Sequence, residues 1–353
     1  MTKSALIISG GGAKGAFAVG VLKFLQRHTT VDFQLLSGTS TGALISPLAA
    51  TGQIDLLEDI YTSITTSDVL TKGNVITQVR NGNHLFGTEP LLRQVRQFVT
   101  AEIFDKIVAS QIDYFNCCVS LQTGKVIHYS IRDMDIFHNH PYYEIRKIKN
   151  LEDLRWSIMA SANQPVFTPP IIVDPTESRE LCVDGGVKET VPISVAIECG
   201  ASELWVIDNN TFLPDPMDAG AEFGKFLDVL KRTIHLFQKD VSYYDVAVPQ
   251  LRIAGAHLIS TLRERLRSAG ASDEAMKAFE DVAGDAELNP FAGTRTHRMH
   301  VIRPEHKLAE DGGLEFIPAQ MRQMLDHGFE QARLYFERNQ LTHLYKSIDP
   351  PVA

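Results

Sequence analysis

No run in the 353-residue sequence comes near the ~20 consecutive apolar residues that a membrane-spanning helix requires. The apolar stretch at the N-terminus, Ala5 to Ile8, ends in glycines well short of the roughly 7–15 residues of a secretory core. It reads as a first β-strand, and the expected location is cytoplasmic. Cysteine is scarce. The four, Cys117, Cys118, Cys182 and Cys199, form no CxxC pair and have no metal spacing with histidine, which argues against a disulfide scaffold or structural zinc. No carboxylate cluster has calcium-loop spacing, so neither a metal nor a cofactor is expected. Positive charge is also short: 34 Lys and Arg against 43 Asp and Glu leave a net charge of −9. Such a chain is a poor nucleic-acid binder and has no bulk attraction to an anionic membrane. The remainder is average for a globular protein, with 44% hydrophobic and 22% charged residues, which speaks against wholesale disorder.

What is present is alternation. Short apolar runs exchange with helical patterns over the first two hundred residues, as in α/β architectures. Strands are expected at residues 5–9, 33–37 and 204–208, the last as the final core strand. YFNCCVSL and VIHYSI flank Gln122-Thr123-Gly124-Lys125 as a hairpin, and ELCVD reads as another strand. Helices are expected at 15–27, 41–50 and 151–162. Beyond Asn210, long helical patterns run over 221–244, 254–267 and 319–339. There is no repeat and no flexible linker. Two parts follow: a core over 5–208, and a mainly helical extension over 209–353 packed on it.

Three glycine motifs carry the chemistry. Gly10-Gly11-Gly12-Ala13-Lys14-Gly15 follows the first strand and opens a helix, where backbone N–H groups form an anion site. A dinucleotide would need an acid at the end of strand two; Asp32 precedes that strand, so the nucleotide reading fails on placement. Gly38-Thr39-Ser40-Thr41-Gly42 stands between strand two and a helix, the context of a nucleophile elbow that exposes a serine hydroxyl. Asp184-Gly185-Gly186 closes the strand ELCVD; alone it would be an ordinary turn.

In this order the motifs resemble the patatin-like phospholipase family, whose pattern is G-G-G-x-[K/R]-G, G-x-S-x-G and D-G-[G/A]. Ala160-Ser161 with Pro165, Phe167 and Pro169-Pro170 is similar to the stretch before the family's Asp motif, while Thr190 stands where many members have Asn. The resemblance covers residues 5–208. It implies a three-layer α/β/α fold with a mostly parallel central sheet and a C-terminal helical extension. It also implies a lipid acyl hydrolase acting on lipid or phospholipid through a Ser40–Asp184 dyad, with peripheral membrane contact. On that reading Ser40 attacks an ester carbonyl and Asp184 takes its proton. The oxyanion faces N–H groups of Gly10, Gly11, Gly12 and Thr41, and Lys14 meets the oxyanion or lipid phosphate. Gly15, Gly38, Gly42, Gly185 and Gly186 shape the turns. An ordinary aspartate, near pKa ~3.9, is a weak base, so partial desolvation of Asp184 is expected.

Two other readings stay open on the sequence. An α/β-hydrolase triad would join Ser40 to Asp174, Asp184 or Asp208 and to His297, His300 or His306. A non-catalytic lipid-binding protein would keep the fold without the chemistry. No activating protein partner is identified by any motif. Two amphipathic stretches have a dual reading. Leu258, Leu262 and Leu266 with Arg263, Arg265 and Arg267 suit a membrane interface or a surface helix packed on the core. Met321, Met324, Leu325, Phe329, Leu334 and Phe336 suit an acyl-pocket floor or plain core.

Overall fold

A computed structural model describes residues 3–72, 84–176, 178–214, 216, 223–309 and 312–346. The strands are β1 (Ser4–Ile8), β2 (Leu35–Thr39), β3 (Thr71–Lys72), β4 (Phe86–Gly87), β5 (Asp113–Ser120), β6 (Val126–Ser130), β7 (Tyr143–Lys147), β8 (Cys182–Asp184), β9 (Glu203–Ile207) and β10 (Arg298–Ile302). β3 and β4 pair with each other; the rest form one sheet in the order β10-β9-β1-β2-β5-β6-β7, with β8 also on β5. Within that sheet pairing is parallel except for β5 with β6 and β5 with β8. Helices cover both faces, giving the three-layer α/β/α fold. β1 shows why: Leu6 and Ile8 enter one buried cluster while Ala5 and Ile7 enter the other, so a continuous apolar run serves two faces.

Helices Gly15–His28, Thr41–Ala50 and Leu151–Ala162 lie where the apolar periodicity puts them. The 122–125 turn joins an antiparallel hairpin. β2 is displaced by two residues, so Gly38 and Thr39 belong to the strand; parallel pairing with β5 out to Cys117 extends it. β9 is not the last core strand. β10 lies outside it in parallel register, where His300 stacks on Trp205 at 4.0 Å between ring centroids. Five residues that include Arg298 and His300 have too little apolar content to announce a strand without that partner.

The extension differs in a second way. Residues 221–222 lie outside the described residues, and the patterns over 221–244 and 254–267 belong to one helix, Phe226–Ser268, that runs through Pro249. Its buried Val246, Ile253 and Ala256 hold it to the protein across that proline, and Phe291 packs where Gly255 leaves no side chain. A helix the sequence did not announce, Asp273–Gly284, follows. Helix Pro318–Arg338 crosses Gly15–His28 closely. A Cβ on Gly20 would lie 1.9 Å from Leu325 O, and one on Gly328 would lie 2.0 Å from Phe17 O. Met321, Met324, Leu325 and Phe336 are therefore core residues. Leu258 and Leu262 are exposed rather than packed, and Arg263 makes a two-pronged pair with Glu280. Among the described residues no helix is long and apolar enough to cross a membrane.

Candidate active site

Two strand ends create the site. β2 and β8 share one side of β5: Thr39 is opposite Cys117, and Asp184 is opposite Cys118, the next residue along. The strands run in opposite senses, so the turn after Thr39 and the turn after Asp184 meet head to head. Ser40 lies on the first turn with φ 56° and ψ −119°, a conformation that costs a non-glycine residue about 1–3 kcal/mol. Its flanking glycines answer to contact. A Cβ on Gly38 would lie 2.5 Å from the Gly42 backbone, and one on Gly42 would lie 2.2 Å from Ile8 O. Only with both bare can the chain double back and leave the Ser40 side chain half-exposed.

Ser161 Oγ accepts the Ser40 amide at 2.9 Å, which anchors the strained residue to helix Leu151–Ala162. Ser40 and Asp184 line the same cleft, and the Gly186 N–H donates to Asp184 Oδ1 at 2.7 Å. Burial nevertheless dominates and pushes the Asp184 pKa up to about 6. Gly185 is pressed against β5, where a Cβ would lie 2.7 Å from Cys117 O, and a Cβ on Gly15 would lie 2.4 Å from Thr41 Oγ1.

Gly10, Gly11, Gly12, Lys14, Ser40, Thr41, Asp184 and Gly186 all line one cleft. Gly10 departs from the expected role. Its N–H donates to Thr190 O at 3.0 Å, so it latches the glycine loop to the Asp loop and is not available to an oxyanion. Thr190 thus contributes through its backbone. The Gly11 and Gly12 amides have no protein acceptor among the described residues, and Thr41 opens its helix with its N–H toward the cleft end. The Thr41 hydroxyl is taken up by Tyr61 at 2.5 Å. Lys14 is buried and donates to Asn210 Oδ1 at 2.5 Å; Asn210 in turn bonds Asp208, which pairs with Arg303 at 3.6 Å.

The alternative triad does not assemble. His297 Nδ1 meets Ala201 O, His300 is held by Glu203 and Tyr335, and His306 packs tilted against His327; none of them lines the cleft. Asp208 is engaged with Arg303, and Asp174 binds Thr176 and Lys149 at the surface. Sequence reasoning missed the walls. Leu44, Val69, Leu70, Leu91, Leu314 and Phe316 supply apolar surface, while Lys231, His235, Gln238 and Lys239 come from the long helix. None of these carries a motif, because each reaches the site through tertiary packing.

A model of the patatin-like phospholipase family matches residues 6–197. The chain belongs to that family. It is also similar to a cUMP-AMP-activated phospholipase of Escherichia coli, 42% identical over an alignment of 62 residues that covers 16% of this chain. The match spans 19% of that relative's length. Among solved structures, VipD from Legionella pneumophila aligns with 96% of this chain and 67% of its own at 11% identity, with a TM-score of 0.37.

Proposed function

We propose that the protein is a serine lipid acyl hydrolase in which Ser40 is the nucleophile and Asp184 its proton acceptor. The observation that carries this is the pairing of a strained, half-exposed serine with a buried aspartate whose pKa is raised to about 6. At neutral pH the carboxyl is ionised yet more basic than an ordinary one, so it can take the hydroxyl proton as attack proceeds and return it to the departing alkoxide. Amides of Gly11, Gly12 and Thr41 supply the oxyanion site, where a single donor is typically worth ~3–4 kcal/mol.

The walls support a lipid ester. The lining combines apolar residues such as Leu44, Leu91 and Phe316 with the cations Lys14, Lys231 and Lys239, a mixture that suits an acyl chain and an anionic head group. Lys14 is assigned to that head group. The helical extension contributes the wall that covers the acyl site, on the division into a 5–208 core and a 209–353 extension. Peripheral lipid contact is assigned to the long helix. Phe237, Tyr244, Leu251 and Leu258 stay exposed on it at seven-residue spacing, beside residues that line the cleft.

The test compares wild type with Ser40→Ala and Asp184→Asn on a chromogenic medium-chain ester and on phospholipid vesicles followed by lipidomics. Fatty acid release by wild type and its loss in both variants is expected; equal hydrolysis by all three would reject the dyad. Ala substitution of His235, His297 or His300 is expected to leave hydrolysis in place. Parallel assays with cUMP-AMP, the activator in the E. coli relative's name, report whether such regulation extends to this chain.

A further inference from the structure

Beside the Asp184 turn, three side chains from separate segments converge. Cys117 of β5 and His128 of β6 are register partners across the hairpin, and Glu189 follows the turn of Asp184-Gly185-Gly186. All are buried, His128 at 0% and Glu189 at 3% exposure. Cys117 Sγ, a ring nitrogen of His128 and a carboxylate oxygen of Glu189 lie within 4.8 Å of one another. His128 Nε2 stands 3.0 Å from Glu189 Oε2, but the two are not aligned as donor and acceptor. Among the described residues, neither ring nitrogen of His128 nor Glu189 Oε2 has a hydrogen-bond partner. A buried polar atom left unmet costs about 1–3 kcal/mol, so this cluster calls for a common partner.

We propose that Cys117, His128 and Glu189 bind one divalent transition-metal ion, with zinc the best fit. Thiolate, imidazole and carboxylate are the donor set a borderline-soft, tetrahedral ion takes. Charge balances as well. On binding, the Cys117 thiol releases its proton to solvent, and one thiolate plus one carboxylate neutralise a dication around a neutral imidazole. Supporting contacts of the kind that orient metal ligands are in place. Ser194 Oγ donates to Glu189 Oε1, and Phe137 stacks on the His128 ring with centroids 5.5 Å apart. Glu189 also borders a second cleft with Tyr143, Ser194 and Asp245, which gives the ion an entry path and room for solvent as fourth ligand. The ligands come from residues far apart in sequence, which is why cysteine and histidine spacing did not announce them.

The consequence is structural. Glu189 N donates to Gly185 O at 2.8 Å, and Thr39 Oγ1 donates to Glu189 O at 3.0 Å. An ion held there ties the hairpin to the residues just before Ser40 and just after Asp184. This reading is independent of the proposed dyad and is tested without hydrolysis. The purified full chain, stripped by chelator, is titrated with Zn²⁺ under elemental analysis and with Co²⁺ under absorption spectroscopy. One ion per chain is expected, with a thiolate-to-cobalt band in the near ultraviolet and the visible bands of a four-coordinate ion. Cys117→Ser should abolish the thiolate band and Cys199→Ser should keep it. If Cys117→Ser does not fold, Ser194→Ala decides: its ion affinity should fall roughly 10–100-fold, as losing an outer-shell partner typically does. No stoichiometric ion in the wild type overturns the proposal, as does a thiolate band that survives Cys117→Ser. Unchanged affinity in Ser194→Ala also overturns it.

Discussion

The acid limb of the pH–rate profile tests the dyad most directly. Burial raises the Asp184 carboxyl from its ordinary value of 3.8 to about 6, against the opposing influence of Ser40 and of the Gly186 N–H bond. Catalysis in this scheme needs the ionised form. At pH 5 only about a tenth of a group with pKa near 6 is ionised, so kcat/KM should drop about tenfold from its plateau, and again about tenfold by pH 4. An aspartate of ordinary pKa would lose almost nothing by pH 5. The assay is kcat/KM for a dispersed neutral ester between pH 4 and 8 at constant ionic strength, with the fold checked by circular dichroism at each pH. A profile that stays flat down to pH 5 refutes the assignment of Asp184 as the base in this environment. Stability supplies the opposite sign. A carboxyl whose folded pKa is raised is unpenalised below its unfolded pKa and costs stability as pH rises through the folded pKa. The penalty amounts to about 3 kcal/mol once both states are ionised. Asp184→Asn should therefore be more stable than wild type above pH 6, by at most that amount, and the advantage should vanish near pH 4 in urea titrations.

Three other outcomes are expected. Ser161→Ala removes the acceptor of the Ser40 amide, so it should cost about 1–3 kcal/mol in denaturant unfolding and lower kcat more than it raises KM. Gly328→Ala would place a methyl 2.0 Å from Phe17 O and should destabilise by about 1–3 kcal/mol through overpacking, read from the urea midpoint; an unchanged midpoint would mean the two helices separate at no cost. With a net charge of −9, hydrolysis of anionic vesicles should rise as added salt shortens the screening length, while a neutral dispersed ester shows little change. Faster vesicle turnover at low salt would contradict that reading.

Local chemistry was legible from the chain alone. The expected spans 151–162 and 41–50 coincide with helices, and the first carries its own start signal, Asn150, whose side chain accepts from Asp153 N. Glycine spacing marked the nucleophile turn, since the approach of Gly38 to the Gly42 backbone is a short-range demand, although what crowds Gly42 itself is Ile8 on a neighbouring strand. The failures share a cause. β10 is a strand only because β9 and Trp205 lie beside it, and the long helix passes Pro249 because buried residues on either side hold it. Gly10 could be counted as an oxyanion donor until Thr190, far along the chain, took its N–H.

Sequence thus determined which residues the proposed chemistry draws on, because turn geometry, nucleophile type and glycine content are properties of a few neighbouring residues. Tertiary structure decided that Ser40 and Asp184 meet, since their strands end head to head along β5, and that burial makes Asp184 more basic than a free aspartate. It also decided what surrounds them. A pKa and a cleft wall depend on everything that excludes water from a point, and no stretch of sequence contains that information by itself.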